Sequence, residues 1–296
     1  LSQADIVFEA VAEGGITRFM AMVYCDVQRD DTALAPIRSA RTYYVDWASG
    51  FNYPLYVHVG GANVPGPSDA LGQINQYGWA GQSDLNQFSI GYPTFVRDYN
   101  RVPGKQIATE HTMVTSTEKL WDVGIKRKWT NMSPALKVGR QAVASTDWKA
   151  GYKGWTFSDD AATKGTVSSI SYDFWSGYSD YSVSWSYDAA SNSYLRSQGG
   201  EKHTDINNDK QVAVKNLVVL QTAEKGPINE LKHMLYTTTG TGTATIFKDG
   251  QAIDAKWAKT TRESELTFTD AKGAPIAFNR GMVWISVLDV ANDPTY

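Results

Sequence analysis

Arg38, Ser39 and Arg41 stand together directly after Pro36 and just ahead of a segment with helical spacing. Two guanidinium forks beside the free amides of a helix start suit a carboxylate or a phosphate, so an anionic glycan is a ligand this group could take. Asp46 and His58 join the set. His58 lies in the run Pro54 to Val59 beside Gly60-Gly61, and a histidine at a strand end can sit at the rim of a crevice, where open α/β sheets bind ligands. Each residue has a structural alternative. Arg38 and Arg41 can pair with Asp46 or Glu13 and tie the loop to the sheet, and His58 can be a hydrogen-bonded structural histidine. The expected ligand-binding set is therefore Arg38, Ser39, Arg41, Asp46 and His58, with no catalytic residue assigned.

An acid/base reading competes with this one. Glu9 and Glu13 share a face if their segment is helical, and with Asp46 they would form a carboxylate site for acid/base work. Capping, or pairing with Arg18, explains the same residues without catalysis. His203 and Asp205 would face one side of a strand, near Asn207, Asn208 and Asp209, which raises the question of a metal. His58, His111 and His233 are scattered, and the stretch DINND lacks the spaced ligands of a calcium loop. A structural turn is the reading adopted, with no metal and no cofactor expected. Cys25 is the only cysteine; at the end of an apolar run, with no base nearby, it reads as a buried inert thiol. No nucleophile elbow, phosphate loop or dinucleotide fingerprint is present.

These residues need elements to hold them. The stretch Asp5 to Glu13 fits a helix, or a short strand entering one, because Ile6, Val7, Ala10 and Val11 satisfy both spacings. Ile16 to Tyr24 reads as a buried strand, Thr42 to Ser49 as a short helix and Pro54 to Val59 as a second strand, which together suggest a βαβ-like unit. Ser68 to Tyr77 predicts a helix with Ser68 as its cap, and Thr115 to Asp122 another, capped by Ser116 or Thr117. From Val167 the pattern changes to alternation. Val212 to Gln221 is a near-continuous apolar strand, and Gly242 to Lys248 folds onto Gln251 to Trp257 through Asp249-Gly250 as a hairpin. The expected class is α/β or α+β, with a mixed domain over residues 1–150 and a β-rich domain over 151–296; the polar stretch Asn131 to Thr166 holds the boundary.

Composition narrows the partners. The net charge of -3 comes from 28 basic and 31 acidic residues, mostly interspersed, so no footprint for nucleic acid emerges. The basic cluster Lys126, Arg127 and Lys128 is short and reads as a solvated surface. Ten Trp, sixteen Tyr and ten Phe suit stacking on sugars or on a protein partner as well as core packing; Tyr43, Tyr44, Trp47, Tyr77, Trp79, Tyr92, Trp155, Trp175 and Tyr178 are the candidates. No run approaches the roughly 18 apolar residues of a membrane span.

The segments EGGITRF (Glu13 to Phe19), PIRSAR (Pro36 to Arg41) with Asp46, and VHVGG (Val57 to Gly61) resemble the YerB-like lipoprotein family of bacteria. The later segments YLRSQGGEKHTD, NLVVLQ, GTGTATIFKDG, Lys256-Trp257 and RGMVWISVLD follow in the same order as in that family's carboxy-terminal part. The resemblance covers nearly the whole chain. It implies an exported cell-envelope protein, membrane-anchored or at the cell surface, whose only membrane contact would be a lipid anchor outside this chain. The family brings no established reaction. It also implies a strand-like stretch ahead of the segment matching Leu1, and it leaves Trp148 to Trp175 unmatched. The expected function is binding of a glycan, a cell-wall component or an envelope protein, with a polysaccharide-cleaving enzyme and a structural subunit of a surface assembly as alternatives.

Overall fold

The computed structural model describes residues 1–24, 30–133, 135–138 and 141–296, so Cys25 lies outside the described residues. The chain forms two compact units, and they are not successive halves. One gathers Leu1–Gln28, Gly154–Thr261 and Leu266–Tyr296; the other holds Arg29–Lys153 with Arg262–Glu265. The opening residues join the larger unit because their strand pairs with the strand that ends the chain.

In the larger unit, Ile6–Glu13 is a strand throughout, which corrects the helical reading of this stretch. It lies between Ile16–Met22, antiparallel, and Val283–Asp289, parallel. The seven-stranded sheet continues through Asn216–Thr222, Gly240–Lys248, Gln251–Lys259 and Thr267–Thr269. Every residue of Asn216–Thr222 is buried. A strand covered on both faces has no polar side to present, so its apolar residues run on without alternating. Ile6–Glu13 is also mostly buried, which is why its pattern admitted a helix. The expected hairpin is present: Lys248 pairs with Gln251, and Asp249 takes the left-handed φ of 53° that such a tight turn demands.

A second sheet, built on Ser169–Tyr172, Val183–Asp188 and Ser193–Gln198, packs its inner face on the first. Trp185 meets Trp284 edge to face at 5.5 Å, and the hydroxyls of Tyr172 and Ser286 hydrogen-bond at 2.6 Å. These contacts lock the two layers together through large side chains with satisfied polar tips.

The smaller unit is mixed. Thr42–Ala48, Ala70–Gln76, Gln87–Ile90 and Thr117–Lys126 are helices. Val96–Arg97, Met113–Ser116 and Ala33–Leu34 form a short antiparallel sheet, and Tyr56–His58 pairs in parallel with Asp84–Asn86. The βαβ-like unit therefore differs from expectation: Ile16–Met22 and Tyr56–His58 lie in separate sheets, and the parallel pair is Tyr56–His58 with Asp84–Asn86. Leu85, Phe95, Met113, Leu120 and Val123 form one buried apolar cluster in it.

Two helix caps also move. Asp69, not Ser68, caps Ala70–Gln76 by accepting from the Gly72 amide at 2.9 Å. Ser116 precedes Thr117–Lys126 without a side-chain cap bond. Asp31 does the work from a distant strand end, with Oδ1 accepting from the Glu118 amide at 2.9 Å and the Thr117 hydroxyl at 3.2 Å. The Glu118 amide bond above all holds the Asp31 carboxyl below its ordinary range.

Candidate functional site

The segments carrying the expected site do run side by side. Val59 donates to the Arg38 carbonyl at 3.0 Å, and Ala40 donates to the Gly60 carbonyl at 2.9 Å. Their side chains then part. Arg41 turns inward, is 6% exposed and donates to the Ala40 carbonyl at 2.6 Å; burial pulls its guanidinium down from its ordinary range. His58 is buried too, with Nδ1 at 2.6 Å from the Gly60 carbonyl and Nε2 at 2.5 Å from Asp84 Oδ1. Both ring nitrogens are engaged, so this histidine ties a strand to a turn and leaves no nitrogen for a ligand. Asp46 accepts from Gln73 Nε2 at 2.8 Å and from the Tyr77 hydroxyl at 2.9 Å, which joins two helices of the smaller unit. Ser39 is half-buried.

Arg38 takes another course. Its Nη1 donates to the Glu110 carbonyl in the turn Thr109–His111. Arg97 Nη1 donates to the Thr109 carbonyl at 2.6 Å and to the Thr112 hydroxyl at 3.1 Å. Arg101 Nε donates to the His111 carbonyl at 2.7 Å. Three guanidinium groups thus take three consecutive carbonyls of one turn. Backbone oxygens orient an arginine without neutralising it. Among the described residues no carboxylate lies within ion-pairing distance of Arg97 or Arg101. A guanidinium has five donors, and these bonds use only one or two of them on each of those two residues. Tyr99, between them in sequence, is 52% exposed. The corner can offer forked, charge-assisted donors to an oxyanion.

Arg97 and Arg101 were not among the expected residues. Arg97 ends the two-residue strand Val96–Arg97 and Arg101 lies in the loop that follows, where no periodicity marks a face. The one usable signal is the spacing of two arginines around an aromatic in RDYNR.

The carboxylates of the acid/base reading are each engaged within their own unit. Glu9 is fully buried in the larger unit, where both oxygens accept from Arg196 Nη2 at 2.8 and 3.0 Å. Thr17 Oγ1 adds a bond at 3.0 Å and Trp284 Nε1 another at 3.1 Å. Burial pushes this carboxyl up, and Arg196 pulls against it. Arg196 is itself unexposed and lies over the rings of Trp284, Phe19 and Trp185 at 4.8 to 5.9 Å. Its Nη1 meets His203 Nδ1 at 2.6 Å, which makes that nitrogen an acceptor; burial first, and Arg196 second, push the His203 pKa down to about 3. Glu13 pairs with Arg18 at 2.5 Å, and Asp46 belongs to the other unit. Asp205 accepts from the Ser2 amide at 2.9 Å and the Asn207 amide at 3.0 Å, a loop-fastening role.

The aromatic candidates divide as well. Tyr43, Tyr44, Trp47 and Trp79 are core residues, whereas Tyr92 is 85% exposed. Tyr77 stacks under Arg262, whose guanidinium carbon is 3.7 Å from the ring centroid.

Residues 1–130 match the family described as "Protein of unknown function (DUF3048) N-terminal domain", and residues 170–285 match its C-terminal domain. The chain belongs to this family. A curated DUF3048-family relative, "Putative lipoprotein YerB" of Bacillus subtilis, is 26% identical over 97% of this chain and 76% of its own length. The solved structure of YerB from Bacillus subtilis covers 100% of this chain and 87% of its own at 22% identity, with a TM-score of 0.74, so this member shares that fold. The family carries a lipoprotein name in that relative. No helix among the described residues of this chain is long and apolar enough to cross a membrane.

Proposed function

We propose that the chain is an extracytoplasmic cell-envelope protein whose smaller unit binds an anionic group of an envelope polymer, carboxylate or phosphate, through Arg38, Arg97 and Arg101. The observation that carries this reading is the convergence of three guanidinium groups on consecutive carbonyls of the turn Thr109–His111. Gathering like charges is unfavourable unless something neutralises them, and backbone dipoles repay only part of that cost. Asp98 offsets part of the Arg101 charge, and a bound oxyanion would add to that compensation. The envelope placement is supported by the lipoprotein name of the Bacillus subtilis relative.

Calorimetric titration tests the reading. A glycerol-phosphate oligomer and a uronic-acid oligosaccharide are the anionic ligands, with a neutral oligosaccharide of matched length as control, at fixed salt. The expected result is saturable binding of at least one anion, weakened about tenfold in Arg97→Ala at unchanged folding. Equal binding by Arg97→Ala and the parent chain would remove the site, and absence of any anion binding would remove the function.

A further inference from the structure

The larger unit carries a cleft of a different chemistry. Its volume is about 570 Å³, within the range of small-molecule sites, and its lining includes Ser171, Ser184, Asp173, Asn292, Asp293 and Thr295. Among the described residues, no lysine, arginine or histidine lines it.

The serines reach the cleft through strand register. Along Ser169–Tyr172 and Val183–Asp188, the residues Ile170, Tyr172, Val183 and Trp185 point to the core, so the serines between them point outward. Ser171 lies directly opposite Ser184, and Ser184 opposite Ser197 on the next strand; Ser169 lies opposite Ser186. The outer face is thus a flat array of hydroxyls, with neighbours in a row roughly 5 Å apart.

Serine is an unusual choice there. It favours caps and turns, where its hydroxyl bonds the nearby backbone. Ser49, Ser89 and Ser193 do this, donating to the carbonyls of Val45, Asn86 and Ser191. Among the described residues, no protein hydrogen bond engages the hydroxyls of Ser171, Ser176, Ser182 or Ser184, all in the cleft, nor the Asp173 carboxylate. Other groups of the lining are held in place. Asn292 Nδ2 donates to the Phe174 carbonyl at 3.1 Å, and Asp293 Oδ1 accepts from Gln221 Nε2 at 2.7 Å.

From this chemistry we infer that the cleft binds an uncharged oligosaccharide. Carboxylates accept charge-assisted bonds from sugar hydroxyls, and serine hydroxyls both donate and accept, so a chain of neutral sugars can satisfy every group named. An anionic ligand would face two carboxylates with no cation to offset them. This inference concerns a site in the other unit and stands apart from the arginine corner.

The experiment titrates the full chain with an N-acetylglucosamine oligomer and a glucose oligomer, with a glucosamine oligomer as the cationic arm. The expected result is saturable binding of at least one neutral oligomer, weakened about tenfold or more in S171V/S184V and in Asp293→Asn, and unchanged in Arg97→Ala. Valine suits exposed strand positions, so the double variant should keep its fold; Asp293→Asn keeps the shape if it does not. The inference is overturned if neither neutral oligomer saturates below about 10 mM, if all variants bind like the parent chain, or if only the cationic oligomer binds.

Discussion

Arg196 and Arg97 are the same residue type put to opposite uses. Arg196 is unexposed, meets a carboxylate with both Glu9 oxygens and is walled by three aromatic rings. Arg97 is exposed, meets backbone and hydroxyl oxygens, and has no carboxylate within ion-pairing distance among the described residues. A guanidinium whose charge is cancelled inside the protein has nothing left to give a ligand, whereas one oriented by neutral oxygens is ready to receive an anion. The difference lies in the partner rather than in the arginine, which is why residue type and spacing alone did not separate them.

The largest effect that would sharpen this contrast is at Arg196. Arg196→Met strands the buried Glu9 carboxyl and should cost about 3–5 kcal/mol, read by urea unfolding. Adding Glu9→Leu removes the stranded group and should restore much of the loss. If Arg196→Met alone costs less than about 1 kcal/mol, the pair is not the anchor described.

Acid should expose the same network more gently. Unfolded, His203 titrates near pH 6.5; folded, burial and Arg196 hold it neutral down to about 3. Between those values the unfolded chain binds the extra proton. The contribution of His203 is therefore intact above about pH 6.5 and is lost as pH falls, at up to about 1.4 kcal/mol per unit. Urea unfolding across this window should be shallower in His203→Gln, which keeps an acceptor for Arg196 but does not titrate. Identical slopes would contradict the assignment.

Smaller effects belong to the other unit. Asp31→Ala should lower stability by about 1 kcal/mol through the freed Glu118 amide at the start of Thr117–Lys126, measured by thermal unfolding. Arg97→Ala should change stability by less than about 1 kcal/mol while weakening anion binding about tenfold. That split between stability and binding is the reverse of the one expected at Arg196.

Local features were legible in the sequence. The hairpin around Asp249-Gly250 could be read because its turn chemistry is contained in two residues, and the alternating strands after Val167 because one face of each is exposed. Ile6–Glu13 was ambiguous because a strand buried on both faces has no period. Asp31 escaped notice as a cap because its partners lie far along the chain, at Thr117 and Glu118. In the proposed arginine corner, only Arg38 was among the residues that the sequence singled out. Arg97 and Arg101 were missed because only the turn Thr109–His111, a separate segment, brings them to it. Arg41 and His58 were placed beside the right backbone, but whether their side chains faced out or in depended on packing that no local pattern encodes.

The most direct test of the account watches the arginines themselves. Side-chain Nε–Hε resonances of Arg97, Arg101 and Arg196 would be followed by NMR while a glycerol-phosphate oligomer is titrated at fixed salt. Arg97 and Arg101 should shift together and saturate while Arg196 stays still. Saturating binding that leaves Arg97 and Arg101 unmoved, or no binding at all, would contradict it.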